Sequence, residues 1–182
     1  MKKNDEKIMK HIIILLSALV LFVGCSTLKI SRDYDDTFDF SKQKSFVIKH
    51  EDKVGKDTLL YDRIIDSLES NLQAKGYKKS SKEEEADLIF VFHIDIQQKN
   101  DIQTSYQMMG FGMYRYGGAA VSTTNTHSYE EGTLIIDALN PKNKKIVWRV
   151  TGIQEIKDKK TPQKRKEYID SAITKMMSTF PK

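Results

Sequence analysis

Cysteine is almost missing from this 182-residue chain, which holds only Cys25. One thiol excludes an internal disulfide framework and any CxxC or cysteine-rich zinc centre. Proline is confined to Pro141, Pro162 and Pro181, so no proline-rich linker or collagen-like repeat is present. Long apolar runs are missing too. The longest, Ile12 to Gly24, falls well short of the roughly 20 residues a helix needs to cross a bilayer. HExxH, GxSxG, EF-hand and Walker A patterns do not occur. The nearest phosphate-loop lookalike, Gly112 to Gly117, continues into Gly118-Ala119 where a Lys and a hydroxyl residue are needed. What is present is ordinary for a globular domain: 39% hydrophobic and 30% charged residues, with 30 Lys and Arg against 25 Asp and Glu for a formal charge of +5. The length fits one domain.

The amino terminus reads as an address. Residues 1–11 carry four Lys, the uncharged stretch Ile12 to Gly24 follows, and Cys25 comes next. Basic segment, short apolar segment, small residue and Cys form the order of an export signal. The ending Phe22-Val23-Gly24-Cys25 resembles the lipobox of bacterial lipoprotein precursors. That resemblance implies cleavage before Cys25, with a diacylglyceryl group on its sulfur and an acyl chain on its amine. Two or more such chains hold a protein on a membrane where one does not. Residues 1–24 are then a signal peptide and residues 25–182 a single envelope domain. Ser26, in place of the Asp of the enterobacterial retention pattern, implies passage to the outer membrane. Removing residues 1–24 leaves 26 basic and 23 acidic residues, so the mature domain is only mildly basic.

Within that domain Leu28, Ile30 and Tyr34 point to a first short strand, and Ser45 to Ile48 to a second. Leu60, Tyr61, Ile64, Ile65, Leu68 and Leu72 recur at helical spacing from Thr58 to Lys75, with Asp57 or Thr58 as the cap and Gly76 as the stop. Leu88, Phe90, Phe92, Ile94 and Ile96 then alternate along a strand. Residues 98–127 lack either period, hold four of the nine Gly, and read as a long loop. Alternation returns from Tyr129 to Leu139, and Asn140 to Asn143 turn the chain into Ile146 to Val150. Trp148, alternating with Ile146 and Val150, belongs to the core. Thr161-Pro162 opens a last helix with a stripe of Ile169, Ala172, Ile173, Met176, Met177 and Phe180. This order predicts an α+β two-layer sandwich, with a four- to five-stranded antiparallel or mixed sheet and two amphipathic helices on one face.

Candidate chemistry is thin. His93 and Asp95 share a strand face, the arrangement a paired histidine and carboxylate needs, although Ile89 and Val91 lie on that face as well. Asp33, Asp35, Asp36 and Asp39 have the oxygens to hold a hard cation or, equally, to bond their own turns. Lys159, Lys160, Lys164, Arg165 and Lys166 cluster at the start of the last helix and form a basic patch suited to anionic lipid head groups, or simply a solvated segment. Nucleic acid is not an expected partner for an exported chain. The most unusual stretch holds Met108, Met109, Phe111, Met113, Tyr114 and Tyr116 with Arg115 as its single charge. Flexible Met and rigid aromatics suit a contact surface for a partner protein or a membrane.

Asp33-Tyr34-Asp35, Asp39-Phe40-Ser41, Lys75-Gly76-Tyr77 and Ala86-Asp87-Leu88-Ile89, followed by Glu131 to Asp137, Lys145 to Arg149 and Thr179-Phe180-Pro181, occur together in order. This ordered set resembles the bacterial lipoprotein family known as domain of unknown function 4136, over residues 29–182. Val47-Ile48 departs from it where the family often has an aromatic. The resemblance implies a fold and an envelope location and brings no catalytic residues or cofactor. The expectation is a non-enzymatic, lipid-anchored binding or assembly module facing the periplasm. Its partners are the membrane, through acyl chains on Cys25, and an envelope protein. The alternative is a periplasmic hydrolase or small-ligand carrier using His93 and Asp95.

Overall fold

The computed structural model describes residues 28–50, 57–109, 119–156 and 161–181. Cys25, Phe111, Met113, Tyr114, Tyr116, Lys159 and Lys160 lie outside the described residues, and for Met108 and Met109 the backbone alone is described.

Chain order runs β1 (Lys29–Tyr34), β2 (Ser45–Lys49), α1 (Thr58–Ala74), β3 (Lys78–Lys79), β4 (Leu88–Met109), β5 (Ala119–Leu139), β6 (Ile146–Glu155) and α2 (Pro162–Met177). The strands form one sheet in the order β1-β6-β5-β4-β2-β3. β2 runs parallel to β3 and β4, and the other pairs are antiparallel. The α+β architecture with a mixed sheet is as expected, but the sheet has six strands where the sequence predicts four to five. The extra one, β3, is two lysines long and has no alternation to reveal it.

Both helices start where the sequence places their caps. Leu60 N–H donates to the Asp57 carboxylate at the start of α1, and Gly76, at φ +92°, turns the chain away after it. Lys164 N–H donates to Thr161 Oγ1 at the start of α2, and Pro162 occupies the first turn. Ile64, Leu68 and Leu72 of α1 and Ile173, Met176 and Met177 of α2 are buried against Leu88, Phe90, Ile136, Ala138, Trp148 and Val150 of the sheet. Period-two spacing puts those six sheet residues on one face, so this side carries the core. Trp148 is fully buried as expected, its ring edge-on to Phe180 at 4.8 Å between centroids. Ile146 is not its companion: it is 45% exposed. The register slips between Ala138 and Leu139, so the alternation that links Ile146 to Trp148 is broken by one residue.

The largest departure from expectation is residues 98–127. Read as a loop, residues 98–109 and 119–127 are the outer halves of β4 and β5, and residues 110–118 lie outside the described residues. β6 ends opposite Glu131, yet β4 and β5 stay paired from Lys99↔Tyr129 out to Met109↔Ala119. Those eleven residue pairs make a two-stranded arm about 35 Å long at the usual rise per strand residue. Residues 101–105 and 122–128 are all exposed. A ribbon exposed on both faces packs neither side against the core, and the contrast between its faces is too slight for period reading to catch.

Candidate functional site

The arm leaves the sheet at the end where β4 finishes and β5 begins. β6 is antiparallel to β5 and β1 antiparallel to β6, so the first residues of β1 lie at this same end, with Lys29 opposite Ile153 and Leu28 just before it. Cys25 precedes Leu28 by three residues. Three extended peptide units span about 10 Å at most, which ties that cysteine to the arm's end of the domain.

The start of α2 comes to this end too. Tyr168 Oη donates to the carbonyl of Glu155, the last residue of β6, at 2.6 Å. Burial, and then the Glu155 charge, push the Tyr168 phenol above its ordinary pKa, so it remains a donor across the neutral range. This bond seats the first turns of α2 over the base of the arm. A cavity there is lined by Ile96 of β4, His127 and Tyr129 of β5, and Arg63 and Arg165 of the two helices. Lys164, Arg165 and Lys166 are all exposed in that first turn. Lys166 Nζ donates to Asp170 at 2.6 Å, an i,i+4 pair. The structure thus brings two features that the sequence leaves separate, the segment leading from Cys25 and the basic turn at Lys164 to Lys166, to the base of the arm, whose far end carries Met108 and Met109.

It does not join His93 to Asp95. Both are exposed, and Asp95 accepts from Gln97 Nε2 at 2.6 Å; among the described residues no hydrogen bond links the two. A second cavity, of about 110 Å³ and mostly apolar, lies between the helices and the sheet and is lined by Ile94, Ile96, Leu134, Ile173 and Met176. Alternation along β4 turns His93 and Asp95 to the opposite face from Ile94 and Ile96. The histidine and carboxylate therefore cannot act on anything held in that cavity.

The aspartates near the amino terminus make turns. Asp35 accepts from Thr37 N–H and hydroxyl, and Asp39 from Ser41 N–H and hydroxyl. The Lys42 hydrogen bond, then that from Ser41, lowers the Asp39 carboxyl to about 2. No group of metal-ligating side chains assembles among the described residues.

Sequence reading missed two further polar clusters. On the face away from the helices Arg149 donates from Nε and Nη2 to both oxygens of Asp137 at 2.6 Å, a bidentate pair that raises the guanidinium pKa further. At the other end of the sheet from the arm, Glu83 receives both Lys144 and Lys49, in that order the causes that lower its carboxyl. The signal for the first is cross-strand register, Asp137 opposite Arg149, and the second joins the end of β2 to two turns; composition carries neither.

A two-layer α+β sandwich with a long β-ribbon arm is the class of molecule these elements define. The chain belongs to the family described as Domain of unknown function (DUF4136), whose model matches residues 30–182. Several solved structures resemble it in fold, two of which bear on the comparison. One is a PDZ domain protein from Parabacteroides distasonis, 14% identical, aligned over 84% of this chain and 36% of its own length at a TM-score of 0.55; this chain thus spans little more than a third of that protein. The other is a family member from Bacteroides thetaiotaomicron, also 14% identical, aligned over 84% of this chain and 95% of its own at a TM-score of 0.50. Among curated proteins none matches the sequence closely enough to count as a relative.

Proposed function

We propose that this chain is a lipid-anchored binding or assembly module of the cell envelope, held through Cys25 and facing the periplasm, with the β4–β5 arm as its contact element. The observation that carries the reading is convergence: the segment after Cys25, the arm and the basic first turn of α2 all occupy one end of the sheet. Anionic head groups attract clustered Lys and Arg by about 1 kcal/mol each near the surface, so Lys164, Arg165 and Lys166 complement an anchor at that end. The arm supplies recognition by its exposed backbone edges, which add strands to a partner as sheet edges do. Catalysis is no part of this proposal: among the described residues no hydrogen bond joins His93 to Asp95, and both face away from the apolar cavity under the helices.

Intact mass and detergent partitioning of the full chain beside Cys25→Ala test the anchor, with crosslinking in cells testing the arm. Triacylated mass, its loss in Cys25→Ala and a discrete crosslinked species that disappears when the arm is shortened are the expected results. An unacylated wild-type product overturns the anchor, and an unchanged crosslink pattern without the arm overturns its role.

A further inference from the structure

The arm is much longer than the tether. About 35 Å of paired strand leaves the domain at the end that Cys25 reaches with about 10 Å of chain. If the acyl chains on Cys25 lie in a membrane, the end that bears the arm faces it, and the arm is about as long as the roughly 30 Å hydrocarbon layer is thick.

The arm's chemistry separates it from an ordinary sheet edge. Natural edges are guarded by Lys, Pro or inward charges. Asp101 is the last charge on the outgoing strand, and Glu130 the first on the returning one. Between them the eight pairs from Ile102↔Thr126 to Met109↔Ala119 carry none, just short of the 9 to 11 residues with which a tilted strand crosses a bilayer. Register sorts the described side chains into two faces: Ile102 and Thr104 lie with Thr124 and Thr126, while Gln103 and Ser105 lie with Thr123 and Asn125. The first face offers Ile and Thr methyl groups, with Ile102 65% exposed. The second offers amides and hydroxyls. A lipid-facing side alternating with a polar, water-lined side is the pattern of a membrane strand.

One hairpin cannot cross alone. Among the described residues no third strand pairs with the arm, and each unpaired backbone group costs several kcal/mol in hydrocarbon. Closing the edges takes further copies of the same arm. We infer that the arms of several copies of this chain join edge to edge into a β-barrel that crosses the membrane beside the anchors. This inference rests on the Cys25 anchor proposed above.

The mature chain has no cysteine besides Cys25, so single thiols report cleanly. Ile102→Cys, Gln103→Cys, Thr104→Cys and Ser105→Cys, each in the full acylated protein, are labelled with an environment-sensitive fluorophore in phosphatidylethanolamine and phosphatidylglycerol vesicles. Quenching is read with nitroxide lipids and with aqueous iodide, alongside the mass of the detergent-solubilised assembly. The expected result is alternation, lipid quenching at 102 and 104 and iodide quenching at 103 and 105, with an assembly at a discrete multiple of the protomer mass. Iodide quenching at all four positions of triacylated protein overturns the inference alone and leaves a soluble partner as the arm's target. Lipid quenching at all four without alternation overturns the barrel in favour of an arm lying along the surface. An unacylated product overturns the anchor and this inference together.

Discussion

Trp148 shows how much one side chain holds. It is fully buried among Phe90, Phe180 and the sheet, yet its indole N–H finds no partner. Trp148→Ala is expected to lower unfolding free energy by about 3–5 kcal/mol through the cavity it leaves. Trp148→Phe is expected to cost clearly less, because the donor it removes was unpaired; urea titration of the three proteins checks both. Asp87 works oppositely, through polar bonds alone. Its carboxylate accepts from the N–H groups of Lys44 and Ser45 and from the Ser45 hydroxyl, at 2.8–2.9 Å, fixing β2 beside β4. Asp87→Ala is expected to cost about 1–3 kcal/mol by leaving the half-buried Ser45 N–H without its acceptor. An unchanged urea midpoint would discount that lock. Asp87 was visible in the sequence as part of a family motif, whereas its partners, more than 40 positions away, were not.

Among elements, α2 packs tightly on β6 at Gly152. A Cβ built there would lie 2.6 Å from Met176 Sδ and 3.3 Å from Leu28 Cδ1. Gly152→Val is therefore expected to push α2 off the sheet at a cost of about 1–3 kcal/mol, read as a lower thermal midpoint by circular dichroism. The arm carries the contrary expectation. Its residues pair with each other and leave the core untouched, and an isolated two-stranded ribbon is marginal in water. Replacing residues 99–129 with an Asn-Gly turn should leave the thermal midpoint of the remaining domain within a few degrees, while removing any higher-order assembly seen by light scattering. A collapse of the midpoint would mean that the arm supports the core. The helices were legible in sequence because each has one dry face and standard caps. The arm was not, because neither face packs on the core and the contrast between them, Ile102 among threonines on one side and amides and hydroxyls on the other, is too slight to read as a period.

At the scale of the whole molecule, acid should act in one direction. Asp35, Asp39, Glu83 and Asp87 all have lowered pKa values in the folded chain: hydrogen bonds and neighbouring Lys lower the first three, and at Asp87 the bonds from Lys44 and Ser45 outweigh burial. A depressed carboxylate binds fewer protons folded than unfolded, so its contribution is present above the unfolded pKa and lost as pH falls through the folded one. Stability is expected to be flat above about pH 5 and to decline from there toward about pH 2, the level to which Asp39 is lowered. Urea midpoints across that range check the sign, and a midpoint that rises on acidification would contradict it. Because Asp35 and Asp39 are exposed and Glu83 only half-buried, the decline should be gradual and weaker in high salt.

The sequence by itself determined the two capped helices, the α+β class and the membership of Trp148 in the core. Each of these is a local property: a run, a period or a cap read within about twenty consecutive residues. Only the tertiary structure decided that residues 99–109 and 119–129 pair as an arm, that Ile146 turns outward past a register slip, and that His93 and Asp95 face away from the apolar cavity. Above all, it decided that the segment leading from Cys25, the arm and the basic turn at Lys164 share one end of the domain. That convergence follows from strand direction and order in the sheet, and contacts across more than a hundred residues leave no trace in local periodicity.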